Sequence, residues 1–127
     1  MTSSWSTDEA AHIAAADELQ IAVRRADGTL RRWVTIWVVC VGTEVYVRTW
    51  YRRDTGWFGH ATRSLKGRIE VPGLEADVTI EDVGSRPAEL RADVDAAYRA
   101  KYGSTSGDRM VGDDAADATL RLVPDRP

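Results

Sequence analysis

A single cysteine and two histidines in 127 residues leave little with which to hold a soft metal or build a disulfide framework. Cys40 lies inside the apolar run WVTIWVVCV, where a thiol behaves as a small hydrophobe. His12 and His60 are far apart in sequence, and neither a His-Glu-x-x-His nor a Gly-x-Ser-x-Gly motif is present, so no metal site and no hydrolytic triad are expected. Asp93 and Asp95 fall on different faces of a helix and form no acid/base dyad. No apolar run approaches the ~20 residues that span a bilayer, and the first residues lack the basic and apolar regions of a secretory leader. A cytoplasmic protein with no membrane partner is the expectation. Repeats and linkers are also missing, which predicts one domain over residues 1–127, with 1–5 and 125–127 mobile.

What the chain has in quantity is tryptophan beside arginine. Four of its five tryptophans (Trp33, Trp37, Trp50 and Trp57) lie within RWVTIWVVCVGTEVYVRTWYRRDTGWFGH. Charge is distributed to match. Residues 24–68 hold ten bases against three acids, a net of +7, whereas residues 1–23 carry four acids and no base and the whole chain has a net charge of -3. Flat, cationic surfaces of tryptophan and arginine hold planar or anionic ligands by stacking and bidentate hydrogen bonds. A small-molecule partner, anionic and planar, is expected, and no nucleic acid, which would favour a basic domain throughout.

Ser6-Thr7-Asp8-Glu9 is a capping-box pattern that predicts a short helix to about Asp17. LQIAVRR alternates as a strand, Asp27-Gly28 signals a type I′ hairpin, and LRRWVTIWVVCV and EVYVRTWYR follow as the second and third strands of an antiparallel meander. In the second strand Trp33, Thr35, Trp37, Val39 and Val41 share one face, and Arg32, Val34, Ile36, Val38 and Cys40 the other. Apolar residues on both faces predict a strand covered on both sides. WFGHATRSLKG reads as a short helix with Arg63 and Lys66 on its surface; RIEV and LEADVTIEDV are two further strands. PAELRADVDAAYRAKY is a longer helix ended by Gly103, with Tyr98 in the core and Lys101 favouring its C-terminus, STSGDRMVGDD a surface loop, and ATLRLVP the last strand. The fold class is α+β: six antiparallel strands in a small barrel, with an N-terminal helix, a short helix after the third strand and a longer one before the last.

The third strand places Arg48, Trp50 and Arg52 in a ladder on one face, which is either a solvated outer surface or one wall of a site. Trp57 and His60 follow just beyond. Trp33 and Trp37 are assigned to core or to an interface.

Taken over its whole length, from DELQIAVRRADGTLRRWVTIWVVCVGTEVYVRTW to AAYRAKYG and ATLRLVP, the sequence resembles the uncharacterised family called domain of unknown function 2255. Over residues 20–82 it is distantly similar to the deazaflavin-dependent nitroreductases, which share the split β-barrel of flavin-binding pyridoxamine-phosphate oxidases. That family carries Gly-Arg-Lys-Ser-Gly before its second strand. Here RRADG keeps Arg25 and Gly28 but has Ala26 and Asp27 where lysine and serine would meet the cofactor's phosphates; Thr49 stands at a family serine, and His60 replaces the asparagine of Trp-x-x-Asn after Trp57. The resemblance implies a split barrel, a homodimer, and an oxidoreductase using FMN or a deazaflavin. Cofactor contacts would come from Arg25, Arg48, Thr49, Trp50, Arg52, Trp57, Arg63 and Lys66, and a donor near the reacting ring from His60 or Tyr51. The alternative is a cofactor-free protein that binds or transforms an aromatic or acidic metabolite, with His60 as acid/base.

Overall fold

The computed structural model describes residues 4–48, 56–84, 88–107 and 113–125. Ser6 Oγ accepts from the Glu9 N–H (3.1 Å) while the Glu9 carboxylate accepts from the Ser6 N–H (2.9 Å), and this reciprocal cap starts α1 (Thr7–Ala15). Ala10 and Ile13, three apart, form its buried face. Then come β1 (Leu19–Val23), β2 (Val34–Ile36), β3 (Val38–Val41), β4 (Glu44–Arg48), α2 (Gly56–Ser64), β5 (Lys66–Val71), β6 (Leu74–Asp82), α3 (Ala88–Gly107), α4 (Asp113–Asp117) and β7 (Thr119–Pro124).

The strands form one antiparallel sheet in the order β2-β1-β5-β6-β7-β4-β3. Its two outermost strands, β2 and β3, are consecutive in the chain. Joined through Trp37, they bring the sheet's ends together and roll it into a nearly closed barrel split between them. Among the described residues there are therefore seven strands where the sequence predicts six, because the long second strand breaks in two. The meander is corrected for the same reason: β2 pairs with β1 and β3 with β4, on opposite edges.

The end of α3 stabilises the break. The Trp37 ring stacks on Tyr102 at 4.2 Å with 5° between planes, the Val38 N–H donates to Tyr102 Oη (3.1 Å), and Lys101 Nζ donates to the Val38 carbonyl (2.7 Å). Backbone groups at the end of a ladder are thereby satisfied by side chains. Burial of Lys101 lowers its pKa; burial of Tyr102 pushes its hydroxyl up to about 12. Alternation survives the break. Val34, Ile36, Val38 and Cys40 face the barrel core, while Trp37, Val39 and Val41 join Tyr46, Val94 and Tyr98 in a second cluster under α3. Trp33 is exposed at 38%.

Other differences are local. Trp5, expected in a mobile terminus, is buried and donates its indole N–H to the Leu122 carbonyl at 2.8 Å. Gly103 (φ 83°) interrupts α3 where a C-cap is predicted, but helical backbone resumes beyond it, and a further short helix, Asp113–Asp117, begins within the last two residues of the segment that reads as loop. Among the described residues no helix is long and apolar enough to cross a membrane.

Candidate functional site

The hairpin after β1 and the helix α2 build the site between them. Arg24 pairs with Leu30 across the hairpin, the Arg25 N–H donates to the Thr29 carbonyl (2.7 Å), and the Gly28 N–H donates to Arg25 (2.9 Å). Only Gly28 in this loop has positive φ (89°), so the turn is a three-residue loop with a left-handed glycine and differs from the two-residue type I′ turn expected. Asp27 accepts from the Thr29 N–H (3.0 Å) and hydroxyl (2.6 Å), and these bonds lower its pKa. Its carboxylate is thus engaged within the turn, where the sequence would set it against a ligand phosphate.

Phe58 and Ala61, three apart, are buried and seat α2 on the barrel. Trp57, His60 and Arg63 recur on an adjacent stripe of the same helix. Leu65, in the left-handed conformation (φ 61°), ends α2 and donates its N–H to the Ala61 carbonyl (2.8 Å). Lys66 therefore opens β5, and it meets Arg63 through this junction, not through the helical spacing read from the sequence.

Two adjoining depressions result. One, of about 250 Å³, is lined by Ile21, Val23, Val34 and Trp57, with Arg25, Arg31, Arg32 and His60 around them. Its neighbour, a more open shelf of about 460 Å³, is lined by Arg24, Arg25, Arg31, His60, Arg63 and Lys66 with Ala26, Gly28 and Ser64. Arg25, Arg31 and His60 belong to both. Among the described residues no carboxylate lines either one.

These cations are not equivalent. Arg24 is paired with Asp77 (2.7 Å) and Lys66 with Asp125 (3.2 Å). Arg31, Arg32 and Arg63 have no carboxylate partner among the described residues. Arg63 Nη2 lies 3.1 Å from His60 Nδ1. A guanidinium can only donate, so Nδ1 accepts and the proton of the neutral imidazole sits on Nε2. Burial, then Arg31, Arg63 and Arg25, lower the His60 pKa, which favours that neutral form.

Of the residues predicted from sequence, Arg25, Trp57, His60, Arg63 and Lys66 come together here. Thr49, Trp50, Tyr51 and Arg52 lie outside the described residues. Arg48 is placed elsewhere. Its side chain is fully buried between the barrel and α3, where Nε donates to Thr119 Oγ1 (2.8 Å) and Nη1 pairs with Asp95. The guanidinium also lies 5.7 Å from the centre of the Tyr98 ring. It is a structural arginine linking β4, β7 and α3, which corrects its assignment to the ligand. Arg31, Arg32, Val34, Ile21 and Val23 carry no motif in the sequence that marks them as site residues. The usable signal was alternation, which sets Arg32 and Val34 on one face immediately after a basic turn.

The chain belongs to the family of uncharacterized proteins conserved in bacteria called DUF2255, whose model matches residues 9–122. No curated protein matches the sequence. Among solved structures it is similar to a conserved hypothetical protein of Mycobacterium tuberculosis (TM-score 0.68, 15% identity, 98% of this chain and 84% of the other). It is similar also to a FAD-binding protein of Mesorhizobium loti (0.62, 12%, 99% and 94%) and to an F420 reductase (0.58, 15%, 91% and 92%). At these identities the likeness establishes the shared split barrel.

Proposed function

We propose that this DUF2255 protein is a flavin- or deazaflavin-binding oxidoreductase that holds the cofactor's ring in the Trp57 cavity and its anionic chain on the arginine shelf. The observation that carries this reading is the direct junction of an aliphatic, tryptophan-walled cavity with a cationic shelf that no carboxylate lines among the described residues. The residues fit such a group. Val23 and Val34 offer an apolar floor and Trp57 an aromatic wall to a planar ring, while Arg31 and Arg63 can make charge-assisted bonds to phosphate or carboxylate. That similar barrels include a FAD-binding protein and an F420 reductase supports the same reading.

When bound, such a cofactor supplies the hydride chemistry, so no protein nucleophile is required. The chain's own contribution is to bind and orient. Its aliphatic floor excludes water from one side of the ring, and the Nε2–H of His60 is a hydrogen-bond donor at the boundary between ring and chain. Tryptophan fluorescence tests the reading. FMN or a deazaflavin at micromolar concentration quenches it in the parent. Trp57→Ala and Arg31→Ala should each weaken binding by at least tenfold, from lost aromatic contact and a lost charged bond of about 1.5–3 kcal/mol. Absence of binding to both cofactors refutes it.

The cavity's size favours a second reading. At about 250 Å³ it lies below the ~300–1,000 Å³ typical of pockets for larger ligands, a volume suited to a single aromatic acid without a cofactor. Binding of an aromatic carboxylate with no response to either cofactor would establish this reading in place of the first.

A further inference from the structure

His60 stands where the cavity meets the shelf, and among the described residues every charged group that lines the shelf with it is cationic. Arg63 comes from its own helix, Arg25 and Arg31 from the hairpin, Arg24 from the strand end and Lys66 from β5. Among the described residues, the acids paired with the shelf's own elements are engaged: Asp27 with Thr29, Asp77 with Arg24 and Arg68, Asp125 with Lys66. An imidazolium in this ring of cations is disfavoured, and Arg63 can donate to Nδ1 only while the imidazole is neutral.

An anion on the shelf reverses both conditions. Its charge offsets that of the arginines, so the imidazole can take a proton from solvent at Nδ1. Once Nδ1 carries hydrogen it no longer accepts from Arg63, whose guanidinium is then available to the ligand. We infer that His60 is a specificity-determining residue of the shelf: it stays neutral without ligand, gains a proton when a phosphomonoester or other dianion binds, and releases Arg63 to that anion. Two positive donors are thereby added in response to the second negative charge, so the site prefers a dianion over a monocarboxylate. This deepens the proposed function and rests on its placement of the anionic chain on the shelf.

The test follows the His60 ring by NMR in the full chain, with His12→Gln used to assign the two histidines. Titrations are run alone and with saturating riboflavin, FMN or inorganic pyrophosphate. Site-resolved detection is needed because a phosphate's own second ionisation, near ~6, also makes affinity pH-dependent. Expected is a midpoint below the ordinary histidine value of ~6.5 in the free protein, raised by at least one pH unit with FMN or pyrophosphate and unmoved by riboflavin. Arg63→Gln should raise the free midpoint. FMN that binds without moving His60 overturns the inference and leaves the cofactor reading intact. Pyrophosphate that raises the midpoint while neither a flavin nor a deazaflavin binds supports the inference and refutes that reading. If neither pyrophosphate nor FMN shifts the midpoint, the inference fails.

Discussion

Arg48 provides a quantitative test of which arginines serve the fold and which the ligand. Its side chain is 0% exposed, while its partner Asp95 is 17% exposed and lies 3.6 Å from Arg91 in the preceding turn of α3. Arg48→Met keeps most of the aliphatic stem and removes the guanidinium. Deleting one partner of a buried pair costs about 3–5 kcal/mol. Asp95 keeps partial access to water and the Arg91 contact, so the low end applies, about 3 kcal/mol. At about 4 °C per kcal/mol for a domain of this size, Tm should fall by about 12 °C. Removing both charges in Arg48→Met/Asp95→Leu leaves no carboxylate to compensate, and stability should return to within about 1 kcal/mol of the parent. Thermal and urea unfolding followed by circular dichroism measure these values, and an unchanged urea m-value keeps the comparison valid. Quenching of the folded single variant by FMN should match that of the parent. The reasoning is refuted by an Arg48→Met protein of parental stability, by a double variant no better than the single, or by affinity reduced more than tenfold in a stable variant.

Gly67→Ala should destabilise by about 1–3 kcal/mol in urea, because a Cβ there would lie 2.9 Å from the Ala22 carbonyl oxygen, backbone that cannot turn aside; an unchanged midpoint would show that β1 and β5 can separate. Leu65→Gly should stabilise by about 1 kcal/mol, since an exposed leucine with φ 61° occupies a helix C-cap position suited to glycine; a lower Tm counts against backbone strain at that residue. Hydrogen bonds from Arg24, then Arg68, hold the Asp77 pKa below its ordinary value. The stability this adds is complete above pH ~4 and lost as pH falls through the depressed value, and it amounts to about 0.5–1 kcal/mol for a side chain this exposed. Asp77→Asn should remove that part of the acid sensitivity, as urea midpoints at pH 2.5 and 6 would show.

The strands were legible where one physical rule dominated. Strict alternation over Arg32–Val41 marked the two faces correctly, and a capping box marked the start of the first helix. The break at Trp37 was not legible, because nothing at that residue is a breaker. It depends on Tyr102 and Lys101, more than sixty residues away in sequence, taking up the Val38 backbone. The tryptophan–histidine–arginine stripe of the site was readable from spacing along α2. Arg31 and Arg32 read only as parts of a basic segment, and Arg48 as a ligand contact. Whether an arginine is buried or free depends on its partners, and Asp95 and Thr119 reach Arg48 only through the return of α3 and β7.

The split in the barrel explains why one tryptophan- and arginine-rich segment does not form one surface. Had the second strand run unbroken, its two halves would have stayed on one edge of the sheet, with Trp37 continuing the face of Trp33. Breaking at Trp37 sends Val34–Ile36 to pair with β1 beside α2, and Val38–Val41 to pair with β4 beneath α3. The first half, with the hairpin before it, supplies Arg31, Arg32 and Val34 to the cavity. From the second half onward the chain supplies the seat of α3, including the buried Arg48. The two roles are therefore separable by mutation. Tyr102→Phe keeps the ring stacked on Trp37 but removes the hydroxyl that accepts from the Val38 N–H, so it should lower stability by about 1–3 kcal/mol through an unsatisfied backbone N–H. Ligand affinity should change little. An equal loss of both would show that the split and the cavity act as one unit.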